Sequence, residues 1–448
     1  MTEPWNFLRQ VWFTFQGLME AAWLYGPMEL ALKFIPFALF LELPVQALVM
    51  IGVLRWAFYG RYQIPHDLPY FPRVSCIITC YSEGRDVQRT IRSLTHQLYP
   101  GQIELLAMVD GSIRNRATLE AAKAMEPEVA HYRNRSLRVV SKTQRGGRVS
   151  SCNLGLALAT GEIVMVLDGD TSFDNDMVPN AIAYFSDPNV VAVSGNLRVR
   201  NAHKSLATRL QALEYMLSIH ASRTGLSQFN AVNNISGAFG IFRRRFITAV
   251  GGWDSGTAED LDLTLRIKKY FARHPHLRIR FAPDAMGHTD APDTFRGFFN
   301  QRLRWDGDLF YLYIRKHRHA LTPHLLGWSN FLLLVWTGLL FQLFLPMVII
   351  VYMSYVFLVY PPAFTLGVLL FIYFFYFLVT VLFFVEYVLL LSERPRQDLQ
   401  LAWCLVLLPG LAFATRVWCG VATLSEMFLK SHLDSSMAPW WVLRKTKF

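Results

Sequence analysis

From Leu325 through Val385 the sequence contains no Asp, Glu, Lys or Arg. About 20 apolar residues cross a bilayer core, so this stretch is long enough for at least two crossings. Pro361-Pro362 divides it, which predicts spans near Trp328–Phe357 and Thr365–Leu390. Hydrophobic residues make up 53% of the chain and charged residues 17%, against roughly 25% charged in an average soluble domain. The deficit lies at the two ends, because charged residues are common between Arg61 and Arg318. The expected organisation is an N-terminal membrane region over residues 1–65, a water-soluble domain over 66–318 and a C-terminal membrane region over 319–430. A tail over 431–448 follows.

Within the first block the clearest span is Phe34–Phe58. Trp5–Tyr25 carries Arg9, Gln16 and Glu20 among aromatics, and either crosses the membrane or lies in its interface as an amphipathic helix. Leu399–Leu429 holds Arg416 and Glu426 and is interrupted by Pro409-Gly410. It reads as interfacial or re-entrant, with a hairpin of two crossings as the alternative. Arg394 and Arg396 lie in the loop before it, so the positive-inside tendency places that loop, the soluble domain and the tail in the cytoplasm. The localisation expected is multi-pass in the cell (inner) membrane. The N-terminus lacks a basic region leading into a short apolar core, and no cleaved signal is expected.

The net charge of +11 comes without a stripe of Lys and Arg interleaved with aromatics, which argues against nucleic acid as a partner. Basic cytoplasmic loops and a phosphorylated substrate are the readings kept. The five cysteines are odd in number and form no C-x-x-C, so neither a zinc site nor a disulfide framework is expected.

After Pro69 the pattern changes. Strands are expected at Arg73–Cys80, Ile103–Val109, Leu137–Ser141 and Glu162–Leu167, with helices at Asp86–His96 and Val149–Ala159 between them. Such alternation predicts an α/β domain with a parallel sheet, whose ligands bind beyond the carboxyl ends of the strands. Asp168-Gly-Asp170 stands at one such end, where two carboxylates can surround one divalent cation that bridges a pyrophosphate. Asp110 ends the second strand and Tyr81-Ser-Glu83 follows the first. Asp110 could accept from a base N–H and Tyr81 could lie beside a ring, but for each strand end taken alone an Asx turn is the favoured reading. Gln144–Arg148, with its two glycines, precedes a helix and is either an anion site or a solvated loop.

Glu259 and Asp260 open a helix running to Phe271. They either complement its macrodipole or supply a general base. His288, after the strand pattern Ile279–Ala282, is a metal ligand or a satisfied loop histidine. Gln301, Arg304 and Trp305 share one face of a helix extending from Phe295 to about Arg318. That face offers an amide, a cation for a leaving phosphate and an indole for a sugar ring, or else an interfacial Trp belt.

In order and spacing these segments resemble the processive family-two glycosyltransferases: the hyaluronan, poly-N-acetylglucosamine, chitin-oligosaccharide and cellulose synthases. The resemblance covers Arg73 to Trp305. It rests on the D-x-D at Asp168 and Asp170, Gly147-Arg148 with Asn153, and Ser236-Gly-Ala238 with Arg243–Arg245. Glu259-Asp260 and the Q-x-x-R-W of Gln301, Arg304 and Trp305 complete it. It implies a GT-A-like nucleotide-sugar transferase domain inserted between transmembrane helices. It further implies that Tyr81, Glu83 and Asp110 hold uridine, and that Arg148, where the family usually has Lys, touches the diphosphate. Asp168 and Asp170 would bind the donor and Mg2+ or Mn2+, and Asp260 would be the base. Gln301 and Arg304 would steady the pyrophosphate while Trp305 stacks on the acceptor. Trp441 and Arg444 resemble a short gating segment.

Ala258 replaces the usual Thr before Glu259-Asp260, and a single Asp110 stands where the family pairs two aspartates. The chain has no room for the cyclic-dinucleotide-binding domain of many cellulose synthases, which tilts the expectation toward amino-sugar polymers. The partners implied are a UDP-sugar, a growing polysaccharide, membrane lipids and a small membrane or envelope accessory subunit. Two rival expectations remain: a non-processive enzyme that glycosylates a membrane lipid, and a non-enzymatic transporter or scaffold that senses nucleotide.

Overall fold

The computed structural model describes residues 3–60, 70–255 and 258–429. Among the described residues eight strands form one sheet: β1 (Val74–Cys80), β2 (Ile103–Val109), β3 (Arg135–Ser141), β4 (Ile163–Asp168), β5 (Ser172–Phe173), β6 (Val190–Val199), β7 (Phe239–Arg243) and β8 (Arg278–Thr289). Their order is β3-β2-β1-β4-β7-β6-β8-β5. The parallel expectation holds for β3, β2, β1 and β4. Beyond them the sheet is mixed, since β7 runs antiparallel to both β4 and β6, β6 is parallel to β8 and β5 antiparallel to β8.

β1 is buried along its whole length, and its side chains alternate between two cores. Cys76, Ile78 and Cys80 join one cluster with Leu105 and Leu167, whereas Ile77 joins Leu106, Val164 and Val166 in the other. A strand covered on both faces reads as a continuous apolar run, which is why VSCIITC shows no polar alternation. The register pairs Thr79 with Asp168 and Cys80 with Val109. The carboxyl ends of β1, β2 and β4 therefore lie together, and the loops after them share one edge. All five cysteines are buried free thiols.

Among the described residues four helices are long and apolar enough to cross a membrane: Ala38–Phe58, Trp328–Val359, Pro362–Leu390 and Ala402–Phe428. The Glu3–Tyr25 helix packs along the third of these, with Leu18 against Val368 and Phe371. The hairpin alternative for Leu399–Leu429 does not form. Leu408–Leu429 is one continuous helix, with Pro409 in its first turn, where a missing N–H costs no hydrogen bond. This stretch touches the sheet-containing half of the chain at both ends. Arg209 lies 5.7 Å from the Trp403 ring, and Arg315 pairs with Glu426 at 2.9 Å.

The loop between the last two of these helices is fastened to the sheet. Arg198 on β6 pairs with buried Asp398, whose carboxylate also accepts from Ser392 Oγ at 2.6 Å. The Phe295–Phe310 helix continues into Tyr311–Lys316 and joins the sheet domain to the Trp328–Val359 helix.

Candidate active site

The helix Gly147–Leu158 begins from a loop that favours glycine, with Gly147 at φ +75°. Asp110 holds that loop. Its carboxylate accepts from the Gly146 and Gly147 amides at 2.9 Å each and from Lys142 Nζ at 2.7 Å. Asp110 is thus buried and fully engaged in shaping the turn. Beside it the Arg145 guanidinium lies 4.0 Å from the Tyr81 ring centroid. Asp110 therefore makes no local Asx turn with its carboxylate; it holds a glycine loop 36 and 37 residues away.

Arg148, in the first turn of the same helix, is the hub of the site. Its guanidinium bonds to Asp168 and to the Gly237 carbonyl, pairs with Glu259 Oε1 at 2.7 Å and donates to Thr79 Oγ1 at 3.1 Å. It ties β1, β4, the Ser236–Ala238 turn and the Glu259–Lys268 helix together. Burial pushes the Glu259 carboxyl above its ordinary range; Arg148 opposes this and Asp260 adds to it.

Asp260 faces a different environment. Its Oδ2 accepts from the Gly237 amide at 3.1 Å and from Asn234 Nδ2 at 3.3 Å, while Oδ1 accepts from its own helix at Leu261 N, 2.7 Å. Ala258 enters that helix with φ +40°, a conformation uncommon for a residue with a side chain. Strain of this kind concentrates at functional sites. Adjacent carboxylates are thereby separated: Glu259 is committed to Arg148, and Asp260 is anchored by neutral N–H groups.

Asp170 is pushed upward by burial and by neighbouring Asp168. Glu83 is pushed up to about 7, chiefly by burial, with Asp170 and Asp168 adding to it. The Cβ that Gly169 lacks would sit 3.2 Å from the Glu83 carboxyl carbon, so the glycine lets these acids approach. Among the described residues no group of three or more His, Cys, Asp and Glu stands ready-made for a metal. His288 lies within β8 rather than after it, and its Nε2 is 2.9 Å from Asp174 Oδ1. The imidazole holds the Asp174 carboxyl low, which is the satisfied-histidine reading.

Gln301 Oε1 accepts from Gln211 Nε2 at 2.8 Å. Trp305 is 41% exposed, with the Arg302 guanidinium 5.1 Å from its ring. The backbone of Arg304 lies on the same helix, but its side chain is outside the described residues, as are Trp441 and Arg444. Sequence reasoning passed over Arg302, Glu214, Asp306, Arg223 and Asn234. Arg302 bonds to Glu214, and burial raises Asp306 to about 6. Arg223 donates to Ser194 Oγ at 3.2 Å. Only Arg302 had a signal, its place inside the Gln301–Trp305 motif.

A cavity of about 1420 Å³ connects these parts. Asp168, Asp170, Arg148 and Asp260 line it, followed by Gln301, Arg302 and Trp305. It continues among Phe341, Tyr373, Thr380 and Arg416 of the apolar helices. Three segments far apart in sequence, Asp168-Gly-Asp170, Asp260 and Gln301 with Trp305, are therefore brought to one space.

The sequence profile of the Glycosyltransferase like family 2 matches residues 72–307 of the 448. A poly-beta-1,6-N-acetyl-D-glucosamine synthase of Staphylococcus epidermidis is 30% identical over 234 residues, 52% of this chain and 53% of that protein. One of Staphylococcus aureus (strain COL) is 28% identical over 283 residues, 61% and 65% of the respective chains. The chain thus spans about half the length of the first of these relatives and somewhat more of the second. Among solved structures, a mannosyltransferase from Pyrobaculum calidifontis in complex with GDP-Man and Mn2+ superposes with a TM-score of 0.51 at 19% identity. The match covers 86% of this chain and 99% of that one, a likeness of fold.

Proposed function

The chain belongs to the Glycosyltransferase like family 2 and has a GT-A-like fold, and from that premise we propose that it extends a polysaccharide from a UDP-sugar. The transfer proposed is inverting and processive, the donor carries N-acetylhexosamine or glucose, and the polymer leaves between the membrane helices. The observation that carries this reading is the cavity, which is continuous from Asp260 past Trp305 into the apolar helices.

In the proposed step Asp260 takes the proton of an acceptor hydroxyl, whose oxygen attacks the anomeric carbon as the bond to UDP breaks. Trp305 offers a stacking face to the terminal acceptor sugar, and Gln301 and Arg304 hold the pyrophosphate. Tyr81, Glu83 and Asp110 border the nucleoside, with Asp110 acting through the glycine loop. Arg148 reaches the diphosphate only by exchanging a carboxylate partner. Trp441 and Arg444 would close over the nucleotide.

Mg2+ or Mn2+ fits Asp168 and Asp170, because the Asp170 carboxyl, raised by burial and by the charge of Asp168 beside it, is relieved by a hard cation. Bound there, the cation would stabilise charge on the departing UDP. In this reading the catalytic domain lies in the cytoplasm and Ala402–Leu429 lies along the membrane interface, the latter supported by the contact of both its ends with the catalytic half.

The metal assignment has a direct check in stability. The Asp170 carboxyl is raised, so the cost of ionising it in the folded state is absent below the ordinary range near pH 4 and grows as pH rises. Mn2+ should remove that cost. It should raise the melting temperature more at about pH 7.5 than at about pH 5.5, and Asp170→Asn should abolish the difference. Equal gains at both pH values would contradict the assignment.

One observation favours a lipid acceptor instead: the membrane end of the cavity is lined by Val45, Ile349, Leu369, Ile372 and Val379, which an acyl or isoprenoid chain would also fit. Purified protein with Mn2+ and UDP-N-acetylglucosamine, UDP-glucose or GDP-Man tests the donor. UDP release from a UDP-sugar is expected. Release only from GDP-Man, or none, would overturn the reading.

A further inference from the structure

Asn234 occupies a position that the proposed chemistry does not yet use. Its Nδ2 donates to Asp260 Oδ2 at 3.3 Å. That orientation is chemically required, because an ionised carboxylate accepts hydrogen bonds and cannot pair with the amide oxygen. The oxygen at the other end, Oδ1, is buried and has no hydrogen-bond partner among the described residues. Asn234 lines the cavity beside Asp260, Ser236 and Gly237.

Its neighbours hold it in place. Asn233 Oδ1 accepts from fully buried Lys268 at 2.6 Å, and Asn233 Nδ2 bonds to Thr337 on the membrane-side helix. On the other side the Ile235 amide donates to Thr264 Oγ1 at 3.0 Å, and that hydroxyl donates to the Asp260 carbonyl at 2.7 Å. The strand of chain that presents Asn234 is thus fixed to the catalytic helix and to the wall of the cavity. A buried carbonyl oxygen left without a donor on a rigid segment is a group awaiting one.

We propose that Asn234 positions Asp260 through its N–H and reads the acceptor through its oxygen, accepting from a hydroxyl or amide N–H adjacent to the attacking hydroxyl. The acceptor class is therefore one with two neighbouring hydrogen-bond donors, such as a sugar ring. A lone primary alcohol satisfies Asp260 and leaves Asn234 unpaired. This rests on the sugar-transfer reading and on Asp260 as its base.

The test compares wild type, Asn234→Leu and Asn234→Asp with a UDP-sugar that the wild type turns over, measuring UDP and free monosaccharide in parallel. In Asn234→Leu, water should replace the misheld acceptor. The share of turnovers ending in free sugar should rise about tenfold and total transfer fall about 10²-fold, with the donor KM unchanged. Asn234→Asp has nearly the same shape and keeps an oxygen, but loses the N–H to Asp260. It should lose transfer without that rise in hydrolysis.

Wild-type partitioning in Asn234→Leu, or a donor KM rising in step with the loss in both variants, would overturn the proposal. If the leucine variant does not fold, a transfer rate for Asn234→Asp within about twofold of wild type would do the same. A wild type that releases UDP from no sugar donor would instead sink the parent reading, so the two failures are distinguishable.

Discussion

Replacing Asp260 with Asn is expected to lower sugar transfer by about 10³-fold, the scale of losing a positioned general base, while nucleotide affinity stays within about twofold. Both Asp260 oxygens accept hydrogen bonds, from Gly237 N and Asn234 Nδ2 on one side and Leu261 N on the other. An amide nitrogen placed on either side would face a donor, so the variant should also lose about 1 kcal/mol of stability from the spoiled bond. A calorimetric titration with UDP and a melting curve separate these effects. Full activity in the variant would remove Asp260 from the mechanism. Loss of UDP affinity in proportion to activity would make it a binding residue.

The second large effect is expected at Arg148. Glu259 and Asp168 both depend on its guanidinium, with Glu259 17% and Arg148 28% exposed in their side chains. Arg148→Ala should cost about 3 kcal/mol, because removing one partner of a largely buried ion network leaves carboxylates uncompensated. Glu259 already lies above its ordinary range, and Arg148 is the group that restrains it. Without Arg148 it rises further, so the deficit is small below about pH 4, where carboxylates are protonated in both states, and grows toward neutral pH. Arg148→Lys keeps the charge but not the planar fork, and should recover most of the stability and only part of the transfer activity. Denaturant melts across pH with donor KM values check this. An Arg148→Ala protein as stable as wild type at neutral pH would contradict the hub.

The parts of the fold legible in the sequence were those set by local pattern. Ile103–Val109 is a strand as expected, because a buried parallel strand writes itself as an unbroken apolar run. The charge-free stretch predicted two helices parted at Pro361-Pro362, and they are parted there. β5, β6 and β7 were not anticipated. β5 is only two residues long, and β7 is positioned by antiparallel pairing with β4 and β6, which no local periodicity records. β8 runs on to Thr289 past a register shift, which carried His288 into the strand.

At the site, the D-x-D was legible because a strand end presents its carboxylates outward. Asp110 was legible as a strand-end residue, yet its engagement with Gly146 and Gly147 is a contact across 36 and 37 residues. The Arg148 network and the Asn234–Asp260 bond are likewise long-range, and residue type alone could not rank them above solvated alternatives.

The most direct measurement of the central claim is the size of the product. Protein reconstituted in proteoliposomes with Mn2+ and a radiolabelled UDP-sugar should yield a high-mass, β-linked polysaccharide that a linkage-specific hydrolase returns to monomer. It should accumulate on the side of the bilayer away from the added nucleotide. A solvent-extractable lipid bearing one sugar, with no longer product, would contradict the account and assign the cavity to a lipid acceptor.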